Sequence, residues 1–451
     1  MSDLNNPSIH YAPNPSNPKV IIAGAGLGGL TLAILLEKAS IDYEILERAT
    51  VLKPLGSATS LASNMMPLLE QLGLLDELKG ISLEGKGFSV YRESPGGESL
   101  ELLTKSDTSA AKEISGYASI VMSRPDLHAL LLSHVPPHKV HLGKRVLSIS
   151  QSNENGVLVR TSDGSTHECD ILVGCDGAYS GVRQSLYKSM KKEGCLPNSD
   201  GEDMKVCHMS ILGTSNPIDP SIVPLSKDGF ARCDIVLGYK KPHSSDAFRS
   251  SDWGSESNGS IQEDWRTFKF PLGLDDSYIT IDDLINSTES DNVTKVMLEE
   301  KLYTTWHHGR TVLMGDACHK MLPNAGRGAV NAMFDAVILA NSLYEIAKDA
   351  TYPNIRSAFK EYYDERFPHA KADLESSRKM ASLLSGQTWS DNVMRKIAFN
   401  LTPTSMAASI AKTIAYRPQA SFLPKAEYRG SGRVDPQKES KRYLQEKAIA
   451  I

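Results

Sequence analysis

The clearest pattern of apolar and polar positions lies near the start of the chain, in VIIAGAGLGGLTLAILLEKASIDYEILER. An apolar run over 19–23 predicts a buried strand, the glycines predict a turn, and apolar residues at helical spacing predict a helix over about 27–38. A second apolar run, 43–47, predicts the next parallel strand. The order of strand, turn, helix and strand indicates a Rossmann-like crossover unit in an α/β protein.

Later segments alternate between apolar and polar residues, which is typical of strands. They include KGFSVYRE, HKVHLGKRVLSIS, NGVLVRTSDGS and CDILVGCDG, and shorter strands follow between 201 and 284. Nucleotide-domain character returns after Leu302, where HGRTVLMGDACHKMLPNAGRGAVNAMFDAVILANSLYE predicts a strand, a loop and a helix of about 17 residues. The nucleotide-binding domain is therefore predicted to be discontinuous, with a second sheet domain between its two parts.

These patterns divide the chain into predicted regions. They are a disordered N-terminus (1–18), the first part of the nucleotide-binding domain (19–190, with strands of the second sheet near 86–120), a substrate-binding sheet domain (191–300), the second nucleotide-binding part (301–375), a C-terminal helical segment (376–424) and a polar tail (425–451). The helical segment has apolar residues every four positions over 389–401, and again after Pro403. Its polar face is only mildly basic, so we expect these helices to pack on the body, with peripheral membrane contact as the alternative.

Composition excludes several classes of protein. The chain of 451 residues is 40% hydrophobic and has a formal net charge of -5, so no basic field would gather nucleic acid. The N-terminus lacks the regions of a secretory signal, and no window reaches the roughly 18 apolar residues of a membrane span. The six cysteines form no Cys-x-x-Cys pair, so neither a disulfide framework nor a metal site is expected. We expect a soluble, cytoplasmic protein.

The glycine turn matches G-x-G-x-x-G in Gly24, Gly26 and Gly29. The first glycine permits the tight turn, the second lets the backbone approach a pyrophosphate, and the third lets helix and strand pack closely. The helix start adds free amides and the positive end of its dipole. Glu47, after the following strand, is placed to accept hydrogen bonds from both ribose hydroxyls and disfavours a 2′-phosphate. The motif indicates an adenine dinucleotide and leaves NAD and FAD open.

A second glycine-acid turn follows much later in the chain, in LMGDA. Gly315 and Asp316 come after a short strand and precede Pro323 and the glycine at 328. A simple NAD dehydrogenase needs no second turn of this kind, whereas the ribityl chain and ring system of a flavin extend well beyond the pyrophosphate. The second turn therefore favours FAD.

In this order, the motifs resemble those of the FAD-dependent aromatic hydroxylases, the para-hydroxybenzoate hydroxylase-like monooxygenases, and more closely those of their fungal secondary-metabolite branch. The resemblance covers about 19–366 and includes SRPDLHALLL, where the family places an arginine, here Arg124, near the FAD pyrophosphate or ribose. It also includes GCDGAYSGVR, which matches the family's Asp-Gly-x-x-Ser-x-x-Arg motif in Asp176, Gly177, Ser180 and Arg183 and which the family associates with FAD and the nicotinamide donor. A surface ion pair for Arg124 and a plain turn at Asp176 are the alternatives.

The resemblance implies a set of cofactor-binding residues in this chain. They are Gly24, Gly26, Gly29, Glu47, Gly56, Arg124, Asp176, Asp316, Gly328 and Ala329. No catalytic side chain is assigned, and His208 and Tyr239 are the only candidates for proton transfer. The histidines at 307, 308 and 319 are expected to be structural or exposed.

The chain departs from the family pattern where the last nucleotide-domain helix begins. Where the family commonly has Gln, Asn and Glu, this chain has Arg327, Val330 and Phe334. We expect FAD binding to survive, while the hydrogen bonds around the flavin ring are in question. Arg327 is a candidate to stabilise a reduced, anionic flavin or an anionic substrate, and a solvent-facing arginine is the alternative.

The resemblance implies a monooxygenase that uses FAD, NADPH or NADH, and O2. It would hydroxylate or epoxidise a small organic, aromatic or terpenoid-like substrate through a flavin C4a-hydroperoxide. An oxidase, dehydrogenase or reductase of the same fold without oxygen insertion is the alternative, and a nucleotide-bound regulatory protein is a third class. Neither the halogenase Trp-x-Trp-x-Ile-Pro segment nor the Baeyer-Villiger signature is present.

Overall fold

The computed structural model describes most of the two predicted nucleotide-binding parts and less of the region between them. The described residues are 11–52, 58–93, 100–107, 109–213, 239–240, 269–271, 278–286, 293–323, 326–385, 393 and 403–449. Most of the predicted substrate domain between 214 and 292, and the apolar pattern at 389–401 apart from position 393, lie outside the described residues.

Six strands form the main sheet. In spatial order they are His307–His308, Thr311–Leu313, Ile171–Gly174, Val20–Ala23, Tyr43–Leu46 and Val140–His141. All neighbours pair in parallel except the edge strand His307–His308, which is antiparallel to the strand beside it. Every residue of Val20–Ala23 and Ile171–Gly174 is buried, as the continuous apolar runs predict for a sheet covered on both faces.

The remaining described strands form smaller sheets. They are Val146–Ser152, Gly156–Thr161 and Thr166–Cys169; Lys205–Gly213, Tyr239–Lys240, Val293–Leu302 and His319–Lys320; Ala58–Leu61, Ser82–Glu84 and Ile120–Ser123; Gly87–Glu93 and Leu100–Asp107; and Lys269–Pro271 and Tyr278–Thr280. The predicted substrate sheet corresponds to the second group. In the described part of the chain, the hairpin of Gly87–Glu93 and Leu100–Asp107 forms a separate two-stranded sheet.

Helices cover the sheets and extend the C-terminal part. The α-helices are Leu27–Lys38, Met66–Gln71, Leu75–Gly80, Ser109–Ser115, Arg124–Ser133, Gly181–Lys192, Ile281–Asn286, Gly328–Ile346, Tyr352–Ser385, Pro403–Ala415 and Lys441–Ile449, and short 3-10 helices span Ser63–Met65, Pro137–Lys139, Asn198–Gly201 and Gly315–Ala317. The helix predicted at 27–38 has those bounds, and the one predicted to contain about 17 residues has 19. The 34-residue helix Tyr352–Ser385 runs through the domain boundary expected at 375.

The two nucleotide-binding parts form one body. The strand Thr311–Leu313 pairs with Ile171–Gly174 inside the main sheet, so the second part supplies a strand to the first. The helix Leu27–Lys38 packs on the helix Gly328–Ile346 at Gly28, where a Cβ atom would lie 3.1 Å from the Cβ atom of Ala332. The discontinuous domain predicted from the sequence therefore shares one sheet and one core.

The segment before the first strand is held against the sheet by Asp170. The Asp170 carboxylate accepts hydrogen bonds from the Tyr11 hydroxyl at 2.8 Å, the Asn14 amide at 3.0 Å and the Lys19 amide at 2.7 Å. Asp170 is only 1% exposed. Residues 11–18, which were expected to be disordered, are therefore anchored, because a buried carboxylate needs donors and this segment supplies them.

The C-terminal tail also makes contacts with the body. In the helix Lys441–Ile449, the Arg442 guanidinium donates to the Tyr344 carbonyl at 2.7 Å and to the Glu446 carboxylate at 2.9 Å. The tail was expected to be polar and solvated, and the bond from Arg442 to Tyr344 instead holds this helix against the helix Gly328–Ile346. None of the helices in the described ranges is long and apolar enough to cross a membrane.

We predict that Asp170→Ala lowers the free energy of unfolding by at least about 2 kcal/mol, because each buried donor left without an acceptor costs about 1–3 kcal/mol. Tyr11→Phe removes only one of the three donors and should cost about 1 kcal/mol. Urea unfolding followed by tryptophan fluorescence measures both values. Equal losses in the two variants would contradict the anchoring role of Asp170.

Candidate cofactor site

The four central parallel strands end in register at one edge of the main sheet. Ala23 lies opposite both Leu46 and Gly174, and Gly174 lies opposite Leu313. Backbone hydrogen bonds of 2.8–3.0 Å continue this alignment one residue past each strand end. Ligands of open α/β sheets bind outside the carboxyl ends of the strands, so this edge is the candidate site.

The predicted acidic and glycine residues follow these strand ends in a row. In spatial order they are Glu47, Gly24, Asp176 and Asp316. Three strand spacings of about 4.8 Å separate the strand before Glu47 from the strand before Asp316, which is about 14 Å. One extended dinucleotide can reach both ends of this row, and the structure thus brings the two distant glycine-acid turns together.

The three motif glycines have different surroundings. Gly24 has a φ of +108°, and a Cβ atom there would lie 2.6 Å from the Cys175 carbonyl oxygen. A Cβ atom on Gly29 would lie 2.8 Å from the Cys175 sulfur and against the Gly24 carbonyl. Around Gly26, no atom of the described residues lies within 4 Å of the Cβ position. Gly24 and Gly29 are therefore required for packing, whereas Gly26 leaves open space where a pyrophosphate would approach the helix start.

The Glu47 carboxylate lies against the glycine turn. One of its oxygens accepts a hydrogen bond from the Ala25 backbone amide at 2.8 Å, and the other accepts one from the Ala49 backbone amide at 2.8 Å. Each carboxylate oxygen has capacity for a further donor. The fixed carboxylate next to an open glycine turn fits the diol of a ribose, as the sequence predicts for an adenine dinucleotide.

Arg124 lies at the start of the helix Arg124–Ser133, and that helix contacts the glycine turn. The His128 Nε2 atom is 2.7 Å from the Ala25 carbonyl oxygen. Residues four apart share one helix face, so Arg124 lies on the side that meets the turn. Arg124 is exposed and forms no ion pair with the residues described by the structure. Sequence reasoning missed His128, whose signal is its spacing from Arg124.

Asp176 caps the helix Gly181–Lys192. Its Oδ2 atom accepts the Gly181 amide at 2.7 Å and the Val182 amide at 3.2 Å. Its Oδ1 atom is buried and finds no donor among the described residues, and burial raises the pKa of this carboxyl group. The turn-and-cap role expected as an alternative is thus present, and the unpaired oxygen is available for a donor from a ligand.

Arg183, later in the same motif, connects two turns of the site. Its guanidinium donates to the Ala317 carbonyl at 2.9 Å and to the Ala178 carbonyl at 2.7 Å. The group also lies 4.2 Å from the centre of the Tyr303 ring and is only 5% exposed. Arg183 therefore joins the Asp176 turn to the Gly-Asp turn and is occupied by protein contacts.

The Gly-Asp turn is the short helix Gly315–Ala317. Gly315 has a φ of +61°, which favours glycine, and its amide donates to the Asp335 Oδ2 atom at 2.9 Å. The Asp316 carboxylate is about one-third exposed and pairs with the Lys320 ammonium group at 2.7 Å. Asp316 is thus at the edge of the site, while the buried Asp335 carboxylate holds the backbone of the turn that carries it.

Asp335 is the centre of a buried ionic cluster. Besides the bond from the Gly315 amide, its carboxylate accepts a hydrogen bond from the Arg366 Nε atom at 2.8 Å and lies 2.5 Å from the His319 Nε2 atom. Burial by itself raises the pKa of Asp335, but His319 and Arg366 outweigh burial and lower the pKa to about 2. All three side chains are fully buried, so the structural role expected for His319 agrees with its position.

A second group of polar contacts joins this cluster to the start of the Gly328 helix. Arg366 donates to the Asn331 side-chain oxygen at 2.7 Å, and the Asn331 amide donates to Asp373 at 2.7 Å. Arg327 pairs with the same Asp373 at 3.3 Å and is 15% exposed. The solvent-facing alternative for Arg327 is therefore wrong, and its charge is balanced by a protein carboxylate.

The other two family departures are core positions. Val330 is fully buried and Phe334 is 2% exposed. The Phe334 ring packs edge-on against Tyr416, with ring centres 5.6 Å apart. The polar groups that the family places at these positions would have no room to remain solvated here. Asn331, which directly follows Val330, is the polar side chain in this part of the helix, and it contacts Arg366 and Asp373.

Five residues of the predicted site remain. Gly328 begins its helix, no atom in the described ranges lies within 4 Å of its Cβ position, and Ala329 follows it. Gly56 lies outside the described residues. The strands of His208 and Tyr239 pair, with His208 opposite Lys240, but the structure does not describe the His208 side chain.

Comparisons with known proteins agree with this geometry. The family model described as an FAD binding domain matches residues 17–377. The FAD-dependent monooxygenase ptmM of Penicillium ochrochloron is 30% identical over 380 residues, covering 80% of this chain and 87% of the relative. The FAD-dependent monooxygenase paxM of Penicillium paxilli is 30% identical over 463 residues, which cover 92% of this chain and 89% of the relative.

Solved structures show the same fold at lower sequence identity. Klebsiella pneumoniae HpxO, complexed with FAD and uric acid, has a TM-score of 0.65 and 20% identity, covering 88% of this chain and 96% of its own. The 2,6-dihydroxypyridine-3-hydroxylase of Arthrobacter nicotinovorans has a TM-score of 0.61 and 17% identity. The match covers 93% of this chain and 100% of the hydroxylase.

This chain belongs to the FAD-binding-domain family of flavoproteins and is an FAD-dependent oxidoreductase of the monooxygenase type. The predicted membership of the para-hydroxybenzoate hydroxylase-like family and its fungal branch is confirmed, as is the α/β fold with a discontinuous FAD-binding domain and a helical C-terminal part. The individual cofactor-binding residues stay predictions that the geometry supports.

We predict that Gly26→Ala and Gly29→Ala act differently. Gly26→Ala places a methyl group in open space, so the apoprotein should lose less than about 1 kcal/mol of stability, while FAD affinity falls about tenfold or more. Gly29→Ala forces contact with backbone and Cys175, so the apoprotein itself should be destabilised. Thermal melting of the apoproteins and fluorescence titration with FAD measure these effects. The same loss of apoprotein stability in both variants would refute the distinction.

We predict that Asp335→Asn lowers the free energy of unfolding by about 3–5 kcal/mol, because it leaves the Arg366 guanidinium buried without a counter-charge. Since the pKa of Asp335 is lowered to about 2 in the folded state, its stabilisation is present above the unfolded value of about 4. That contribution is lost as the pH falls from about 4 to 2, and the variant should lack this part of the pH dependence.

Asp170→Asn is the matched control, since Asp170 is an equally buried aspartate with three donors outside the cofactor site. Both variants should lose stability, but only Asp335→Asn should shift the visible spectrum of bound FAD, because Asp335, unlike Asp170, contacts the Gly315 turn. Acid unfolding curves and absorbance spectra provide the measurements. An unshifted spectrum for Asp335→Asn would show that this contact does not control the cofactor site.

Proposed function

We propose that this protein uses FAD, a reduced nicotinamide donor and O2 to insert one oxygen atom into a small organic substrate by hydroxylation or epoxidation. The observation that carries the proposal is the row of strand ends at one sheet edge, with Glu47 at one end and the Asp316 turn at the other. The two Penicillium relatives, which match most of this chain, are named FAD-dependent monooxygenases.

The described residues fit an FAD molecule lying along this row. Glu47 would hold the adenosine ribose, the open turn at Gly26 would face the pyrophosphate, and Arg124 would neutralise part of its charge. The Asp316 turn would hold the ribityl end. When bound, FAD supplies the redox chemistry that protein side chains lack, namely hydride acceptance and O2 activation.

The start of the Gly328 helix is the proposed position of the ring. The amides of Gly328 and Ala329 are at a helix N-terminus, where the dipole favours negative charge. A reduced, anionic ring is the state that this end would stabilise. Because Arg327 is already paired with Asp373, the helix amides are the better candidates for this role than the Arg327 guanidinium.

The donor is proposed to be NADPH or NADH without a separate nucleotide-binding domain, since the sequence contains no second G-x-G-x-x-G unit in a strand-turn-helix setting. The substrate is proposed to be aromatic or terpenoid-like, and the segment expected to surround it, 201–284, lies mostly outside the described residues. We propose a cytoplasmic enzyme, with peripheral membrane contact through the C-terminal helices as a further hypothesis.

An oxidase or reductase of the same fold is the competing function. The cofactor site described above would serve all three activities, so the fate of oxygen separates them. An oxidase transfers the electron pair of every donor molecule to O2 and releases hydrogen peroxide, and a reductase consumes no O2. Only a monooxygenase places an atom of O2 in the organic product.

We predict that the purified protein has the absorption spectrum of bound flavin and that a panel of phenolic and terpenoid compounds contains members that accelerate NADPH or NADH oxidation. With 18O2, the product of such a compound should contain one labelled oxygen atom, as measured by mass spectrometry. Peroxide release equal to donor oxidation, with no label in any product, would replace the proposal by the oxidase function. Flavin binding without any donor oxidation would favour a regulatory protein.

A further inference from the structure

Three side chains with different ligand atoms meet at the surface, away from the cofactor site. They are Glu193, Cys195 and His308, and their ligand atoms all lie within 4.8 Å of one another. The His308 Nε2 atom is 3.2 Å from the Glu193 Oε2 atom, and the Cys195 sulfur is 3.8 Å from the same oxygen. A carboxylate oxygen, a thiol sulfur and an imidazole nitrogen therefore converge on one point.

These separations fit a tetrahedral zinc ion. Zinc binds nitrogen and oxygen at about 2.0–2.1 Å and sulfur at about 2.3 Å. Tetrahedral angles then place a nitrogen and an oxygen ligand about 3.3 Å apart, and a sulfur and an oxygen ligand about 3.6 Å apart. The observed 3.2 Å and 3.8 Å differ from these values by amounts that small side-chain rotations can supply.

The backbone and neighbouring side chains hold the ligands in place. Glu193 caps the end of the helix Gly181–Lys192, and the Ser189 hydroxyl donates to its other oxygen at 2.9 Å. The Cys195 amide donates to the Met190 carbonyl at 3.0 Å, which fixes the residue after the helix. His308 lies in the edge strand of the main sheet. Such supporting contacts orient metal ligands before an ion binds.

Cys195 also differs from the other cysteines described with it. Cys169 and Cys318 are buried and Cys175 is half-buried, and burial raises the pKa of all three thiols, so none of them is suited to bind an ion from solution. Cys195 is exposed. The side chains of His308 and Glu193 are 33% and 49% exposed, so an ion can reach all three ligands.

We propose that Glu193, Cys195 and His308 form a zinc-binding site with its fourth coordination position open to water or another small ligand. Sequence spacing does not predict the site, because 115 residues separate Glu193 from His308. Zinc at this site links the end of the Gly181 helix to the edge strand of the main sheet. That helix is capped at its other end by Asp176, so the ion would restrain an element of the cofactor site.

The test uses the full-length flavoprotein, first treated with a chelator and then dialysed against ZnCl2. Elemental analysis should find one tightly held zinc ion per chain, and the melting temperature should rise with zinc concentration. With CoCl2, a thiolate-to-cobalt charge-transfer band should appear. Cys195→Ser should abolish that band, and Cys195→Ser and His308→Gln should each weaken zinc binding at least about tenfold.

His134→Gln is the matched control. His134 lies 3.0 Å from Glu77 in an exposed histidine-carboxylate pair, with 36% and 49% of the side chains exposed, but without a thiol. This variant should retain the zinc stoichiometry, the cobalt band and the zinc-dependent rise in melting temperature. Absence of zinc in the wild type, or equal zinc affinity in Cys195→Ser and the wild type, would overturn the proposal. Neither result depends on flavin binding or turnover, so the proposed function is tested separately.

Discussion

The close contact between the glycine turn and the neighbouring strand is the constraint on which the site depends. Gly24 has a positive φ angle and lies so near the Cys175 carbonyl that no side chain fits. Gly29 packs against the Gly24 carbonyl and the Cys175 sulfur, so it too has no space for a side chain. The helix that follows can therefore start directly at the sheet edge. Its Gly28 lets Ala332 of the second helix approach within van der Waals distance, so one local packing requirement positions both helices around the cofactor site.

Buried charges join the two halves of the site. The Gly315 turn and the start of the Gly328 helix are linked through Asp335, Arg366 and Asn331, all of them buried. A buried charge is tolerated only when opposite charge and hydrogen bonds surround it, so these side chains have little freedom to move. The turn that carries Asp316 is thus held by the protein rather than by the ligand alone.

The departure at Phe334 is explained by the C-terminal part of the chain. Phe334 packs against Tyr416, and the Arg366 guanidinium lies 5.8 Å from the first ring centre and 5.6 Å from the second. Tyr416 also stacks on His369, with ring centres 3.7 Å apart. The apolar residue at 334 therefore has an aromatic partner in the C-terminal helical segment. The departure at Phe334 therefore serves packing against the C-terminal segment.

The sequence by itself determined the glycine turn, the acid after the second strand, the second glycine-acid turn and the family, because each depends on residues that are close along the chain. Local spacing also predicted the helices at 27–38 and from about 328. Only the tertiary structure decided what Arg327 contacts, that His319 is fully buried beside Asp335, and that residues 11–18 are anchored. Those outcomes depend on partners 16 to 159 residues away, and sequence periodicity carries no information about which distant charges meet.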